Sequence, residues 1–167
     1  MTSRPDGKQI AVRLNESMIS RLDHLAKLGS TNRHHLMLSL VSFWLNVLDE
    51  TKLARVFYIA NLHRVREEQR NGNFAYEHEF QAERIPEKPL PIKLTDGDNW
   101  NVGCFANHSH LSKHQLMKTM IIVGIEELEK IIDVNGFDIA SVEPKLLKGF
   151  KRILQKGDKA HKAYLKG

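Results

Sequence analysis

Lys8–Leu14 reads KQIAVRL, and Lys88–Leu94 reads KPLPIKL. In the first segment Ile10, Val12 and Leu14 alternate with Gln9, Ala11 and Arg13, the period of a strand with one buried face. In the second, Leu90, Ile92 and Leu94 alternate with Pro89, Pro91 and Lys93 in the same phase. Proline removes a ladder donor, but successive N–H groups of a strand point alternately toward and away from its neighbour. Pro89 and Pro91 share one parity. If that parity points outward, the ladder through Leu90, Ile92 and Leu94 survives. The two segments therefore predict a two-stranded antiparallel ribbon that admits no third strand on the proline edge.

The shift that lays Lys8 over Lys88 extends the likeness beyond these segments. Residues 8–49 lie over residues 88–129 without a gap. Identical pairs include Leu14/Leu94, Ala26/Ala106, His34/His114, Leu36/Leu116, Met37/Met117 and Leu48/Leu128, and substitutions such as Arg13/Lys93, Asn32/Ser112 and Arg33/Lys113 keep the chemistry. Each copy predicts a strand, a capped helix, a turn and a second capped helix. Asn15 and Thr95 are the expected caps of the first helices, Asn32 and Ser112 those of the second. Ile19, Leu22, Leu25, Ala26 and Leu28 give the first helix of copy one its apolar face, and Gly29 is expected to end it in the left-handed region. The matching helix of copy two is poor, with Gly97, Gly103 and several Asn, and offers Trp100, Val102, Phe105 and Ala106 for burial. The second helices carry long stripes: Leu36, Met37, Leu40, Val41, Trp44, Leu45 and Leu48, against Leu116, Met117, Met120, Ile121, Ile125 and Leu128. Trp44 aligns with Gly124, and near a two-fold axis the indole is expected to fill the space that the glycine leaves.

The remaining segments frame these copies. Residues 1–7 read as an arm. Residues 50–87 read as a connecting helix (50–70) and a linker that returns the chain to the second strand. Residues 132–167 read as a C-terminal helix, begun at Pro144, and a basic tail. The two copies occupy 8–49 and 88–131. From Pro144 onward eight basic residues face one acid, whereas the rest of the chain holds 17 basic and 19 acidic side chains. The net charge of +5 is thus a property of the tail. It fits either a solvated helix end or an arm lying along phosphates.

A strand, a capped helix, a polar turn and a second capped helix, all within residues 8–49 and again within 88–129, resembles the ribbon-helix-helix DNA-binding fold. VRLNES (Val12–Ser17) looks like that family's strand-to-helix junction, and SKHQLM (Ser112–Met117) like the start of its second helix. The resemblance covers about half the chain. It implies a mainly α fold with a two-stranded ribbon, formed by two copies in one polypeptide that pair as a pseudo-dimer. It implies double-stranded DNA as partner, with the ribbon in the major groove. Gln9, Ala11, Arg13, Pro91 and Lys93, with Pro89 beside them, would then face the bases. Asn32, Arg33, His34, Ser112, Lys113 and His114, at the starts of the second helices, would anchor phosphates. The two halves differ in chemistry, so an asymmetric site is expected. The implied role is a transcriptional repressor or an accessory protein of plasmid or mobile-element DNA processing, with self-association on DNA. From a different class, the alternative is an antitoxin-like protein-interaction module using helix 50–70 or the tail.

Other chemistries find little in the chain. One cysteine, Cys104, leaves no disulfide framework and suggests a reducing, cytoplasmic setting. No apolar run is long enough for a membrane span, and MTSRPDGK lacks the apolar core of a secretory signal. Phosphate-binding glycine loops and nucleophile motifs are missing, so no catalytic residue and no cofactor is expected. His108, His110 and His114 invite a metal, but neither a Cys pair nor an HExxH pattern accompanies them.

Overall fold

The computed structural model describes residues 9–71, 86–132 and 136–166. The expected arm 1–7 and most of the linker expected after residue 70 lie outside them. The chain is mainly helical: β1 (Gln9–Asn15), α1 (Glu16–Leu28), α2 (Arg33–Thr51), a 3₁₀ turn (Ala54–Val56), α3 (Phe57–Arg70), β2 (Glu87–Lys93), α4 (Asp96–Ser109), α5 (Lys113–Ile131) and α6 (Ile139–Lys166). β1 and β2 form an antiparallel two-stranded sheet, with Gln9 opposite Lys93, Ala11 opposite Pro91 and Arg13 opposite Pro89. Val12, Leu14, Leu90 and Ile92 are buried beneath it, while the alternate residues are exposed.

All four helix caps form as expected. Asn15 accepts from the Met18 amide at 2.8 Å, Asn32 from His35 at 2.8 Å, Thr95 from Asp98 at 3.1 Å and Ser112 from Gln115 at 3.1 Å. Gln115 reaches back to the Ser112 amide and completes a capping box. α1 and α4 start at aligned positions, Glu16 and Asp96, and so do α2 and α5, at Arg33 and Lys113. The left-handed residue after α1 is Ser30 (φ 55°), and its aligned counterpart His110 is left-handed too (φ 59°). Gly29 itself sits at φ −87°. Its value is space: a Cβ there would lie 2.6 Å from the Phe137 ring.

The two halves interlock. β1 packs against α5 and β2 against α2, while α1 meets α5 and α4 meets α2. Their buried residues form one common hydrophobic core. The expected stripes of α2 and α5 are buried throughout, and so are Phe43, Val47, Val123, Gly124 and Glu126 beyond them. Those extra faces are covered because α6 packs on α2, α5 and α3. The expected Trp44–Gly124 complement is replaced by different neighbours. The Trp44 indole stacks on Phe150 of α6, with centroids 4.0 Å apart, and meets Phe57 of α3 edge-on at 5.1 Å. Gly124 instead faces Leu40, one turn earlier on α2; a Cβ at Gly124 would lie 2.9 Å from that side chain.

Three further expectations shift. The connecting helix starts at Phe57, not at residue 50, because α2 runs to Thr51 and Lys52 turns the chain in the left-handed region. α6 starts at Ile139, so Pro144 lies inside the helix. Near the helix start its missing N–H costs one intrahelical bond at most. Trp100 is 72% exposed, and α4 buries only Val102, Ala106 and Ser109. The Ser109 hydroxyl lies 2.7 Å from the Ala54 carbonyl and ties α4 to the 3₁₀ turn.

α3 and α6 come into close contact where Gly157 meets Ala60: a Cβ on Gly157 would sit 2.4 Å from the Ala60 Cα. A buried ion pair, Arg64–Glu126 at 3.0 Å, joins α3 to α5 nearby in sequence. Glycine-to-alanine exchange within a helix normally stabilises by up to about 1 kcal/mol. Gly97 on α4 has open space around it and should show that gain. Gly157→Ala should reverse the sign and cost about 1–3 kcal/mol through overpacking, a contrast read by chemical denaturation of the two variants. Gly124→Trp should unfold at markedly lower denaturant, and adding Leu40→Ala should recover part of the loss in the same assay.

Candidate nucleic-acid interface

The ribbon's outer face carries Gln9, Ala11 and Arg13 on one strand and Pro89, Pro91 and Lys93 on the other, all exposed. Ala11 and Pro91 are ladder partners at the middle of the ribbon. Arg13 and Lys93 lie diagonally at opposite ends. Gln9 accompanies Lys93, Pro89 accompanies Arg13, and the centre is apolar. The two ends are separated by four residue steps, about 13 Å along a strand.

The first turns of α2 and α5 flank this surface. The outward amide of Arg13 donates to His114 Nε2 at 3.1 Å, and that of Lys93 donates to His34 Nε2 at 3.1 Å. The two bonds are reciprocal: each strand's outer edge is held by the helix of the other half. They also establish that odd-numbered residues point their N–H groups away from the partner strand, the parity on which Pro89 and Pro91 do no harm to the ladder. Arg13 is further held by its guanidinium, which donates to the Glu87 carbonyl at 3.0 Å. Lys118 of α5 pairs with the Glu87 carboxylate at the same corner. At the same end of the ribbon, Lys88 and Glu16 form an exposed pair at 3.6 Å.

The six expected anchoring residues do cluster at the two helix starts, with differing engagements. Asn32 and Ser112 use their side chains as caps. Arg33 makes a bidentate pair with Asp23 at 2.7 Å through both contacts, and the guanidinium holds the Asp23 carboxyl below its usual range. Lys113 donates to the neutral Asn99 oxygen at 3.1 Å, on a groove that Asp96 also lines. The role of His34 and His114 as acceptors for the strand edges is invisible to sequence reasoning, although their alignment with each other in the two copies is its one available signal.

A shallow groove of about 580 Å³ adjoins the α5 start, with Trp100, Cys104, Asn107 and Lys113 on its walls. Cys104 is a free thiol there. Among the described residues no three His, Cys, Asp or Glu side chains converge as metal ligands, and no helix is long and apolar enough to cross a membrane. Comparison with protein-family models, curated proteins and solved structures finds no match to this chain.

An imidazole accepting at Nε2 must be neutral, with its proton on Nδ1. Partial burial and the Lys118 ammonium push His114 below its ordinary value of 6.5, Arg13 acting in the same sense and Glu87 against it. The folded chain thus binds a proton at His114 less readily than the unfolded chain does. Stability from this group is complete above about pH 6.5 and is lost as pH falls through the lowered folded value. The thermal midpoint should accordingly drop between pH 7 and pH 5, and His114→Gln should flatten that part of the profile in scanning calorimetry.

Proposed function

We propose that this chain is a single-chain ribbon-helix-helix protein that binds double-stranded DNA in a sequence-dependent way, laying the β1–β2 ribbon in the major groove. The observation that carries this reading is the exposed ribbon face with Arg13 and Lys93 at diagonal ends, flanked by two helix N-termini. A two-stranded ribbon fits the major groove, and helix starts with free N–H groups favour phosphate. Successive base pairs are about 3.4 Å apart, so the ribbon's ends address about four base-pair steps. Arg13 and Lys93 donate to guanine O6 and N7, Gln9 pairs with adenine, and Ala11 with Pro91 lies against a thymine methyl. Because one strand offers Gln9 and Arg13 where the other offers Pro89 and Lys93, the preferred site is not a palindrome. Lys113 is the stronger phosphate anchor, since Asp23 already engages Arg33. Such a binder serves as a repressor or as an accessory protein in plasmid or mobile-element processing.

A second reading, a protein-interaction module, draws on the exposed apolar side chains away from the ribbon: Trp100 on α4, and Tyr164 and Leu165 at the end of α6. Selection of duplexes from a random pool separates the two. The DNA reading expects one asymmetric motif with salt-dependent affinity; a pool that stays unenriched overturns it. In binding assays on the selected duplex, Arg13→Ala should relax preference at one position at a cost of about 1–3 kcal/mol. Lys113→Ala should weaken all sequences alike and reduce the salt slope by about one, and Arg33→Ala should do less.

A further inference from the structure

We propose that His34 and His114 are positioning residues that hold the ribbon in its docking geometry as neutral imidazoles, so that acidification releases the ribbon instead of strengthening its hold on a polyanion. The proposal deepens the duplex-binding reading and rests on it for its effect on DNA.

The geometry is specific. Both imidazoles sit at the second residue of a long helix, both accept through Nε2 at 3.1 Å, and the donors are the backbone amides of Arg13 and Lys93. Those two residues carry the cationic side chains of the outer face. Each bond therefore fixes the strand at the point where its cation leaves the backbone. The bonds also close the outer edges of a sheet with only two strands, where an amide otherwise faces water. Around His114 stand Lys118 on its own helix, Arg13 on β1 and Glu87 on β2. Beside His34 stands Lys93 on β2, and Leu38 occupies the place that Lys118 has in the other half.

A protonated imidazole has no lone pair to offer, so the N–H···N bond cannot coexist with His⁺. The usual phosphate-facing histidine behaves in the opposite sense: it gains charge, and with it affinity for a polyanion, as pH falls. The direction of the pH response separates the two roles.

The test begins with the full chain free of DNA. Imidazole ¹⁵N shifts at pH 7.5 should report His34 and His114 in the Nδ1-protonated tautomer. The amides of Arg13 and Lys93 should exchange at least about tenfold more slowly than in an unfolded peptide at pH 7.5 and lose that protection at pH 5.5. On a duplex taken from the random pool, at constant ionic strength, wild-type affinity should fall about tenfold or more from pH 7.5 to 5.5, as expected when two hydrogen bonds are lost. The double variant His34→Gln/His114→Gln, whose amide oxygens accept without titrating, should bind similarly at both pH values. Nε2-protonated imidazoles, unprotected Arg13 and Lys93 amides, or tighter wild-type binding at pH 5.5 would each overturn the proposal. If the tautomers and the exchange behave as stated while no duplex binds at any pH, the clamp on the ribbon is upheld and the duplex-binding reading falls.

Discussion

The pairing of β1 with β2 is the constraint on which the rest of the molecule depends. The strands come from opposite ends of a long stretch of chain, and each has one apolar face that must be covered. That face is covered by helices of both halves, with β1 on α5 and β2 on α2. Because each strand leans on the other half's long helix, the ladder cannot separate without uncovering Val12, Leu14, Leu90 and Ile92 at once. At about 1.5–3 kcal/mol for each fully buried aliphatic side chain, that exposure exceeds any single hydrogen bond in the ribbon. Packing therefore sets the register, and the ladder and its edge bonds refine it.

α6 and α3 add a second layer that the ribbon itself does not require. They cover the far faces of α2 and α5 and build an aromatic cluster around Trp44. The Arg64–Glu126 pair lies in this layer. Removing one partner of such a pair leaves a charge buried without its counter-ion, a loss of about 3–5 kcal/mol. The layer thus depends on a polar contact as well as on shape. The approach of Gly157 to Ala60 shows how little room remains between α3 and α6.

Much of this was legible in the chain. Strand periodicity, the parity of the two prolines, the four caps and the apolar stripes are local properties, and local properties leave local patterns. The likeness between residues 8–49 and 88–129 added the one long-range expectation, that the strand at 8–14 pairs antiparallel with the strand at 88–94; the register itself was not in it. What escaped was tertiary. Trp44 turns to Phe150 and Phe57 because α6 and α3 reach it, and no pairwise alignment of the two halves contains those helices. Trp100 stays exposed because the buried side of α4 carries Val102, Ala106 and Ser109 instead. Gly29 looked like a left-handed cap, yet its lack of a side chain serves the Phe137 ring. At the candidate site, exposed residues were placed on the correct strand face by periodicity alone. The partners of Arg33, Lys113 and the two histidines depend on which helix starts meet which strand, a matter decided by three-dimensional packing.

Having both strands in one polypeptide changes how the ribbon responds to dilution. A ribbon assembled from two separate chains dissociates when its subunits become scarce, so its occupancy tracks the square of copy number. Here the partner strand is tethered at a fixed local abundance, and a handful of molecules per cell carry the ribbon as fully formed as a crowded solution does. The tether also frees the two strands to diverge, since a proline tolerated on one is never imposed on the other.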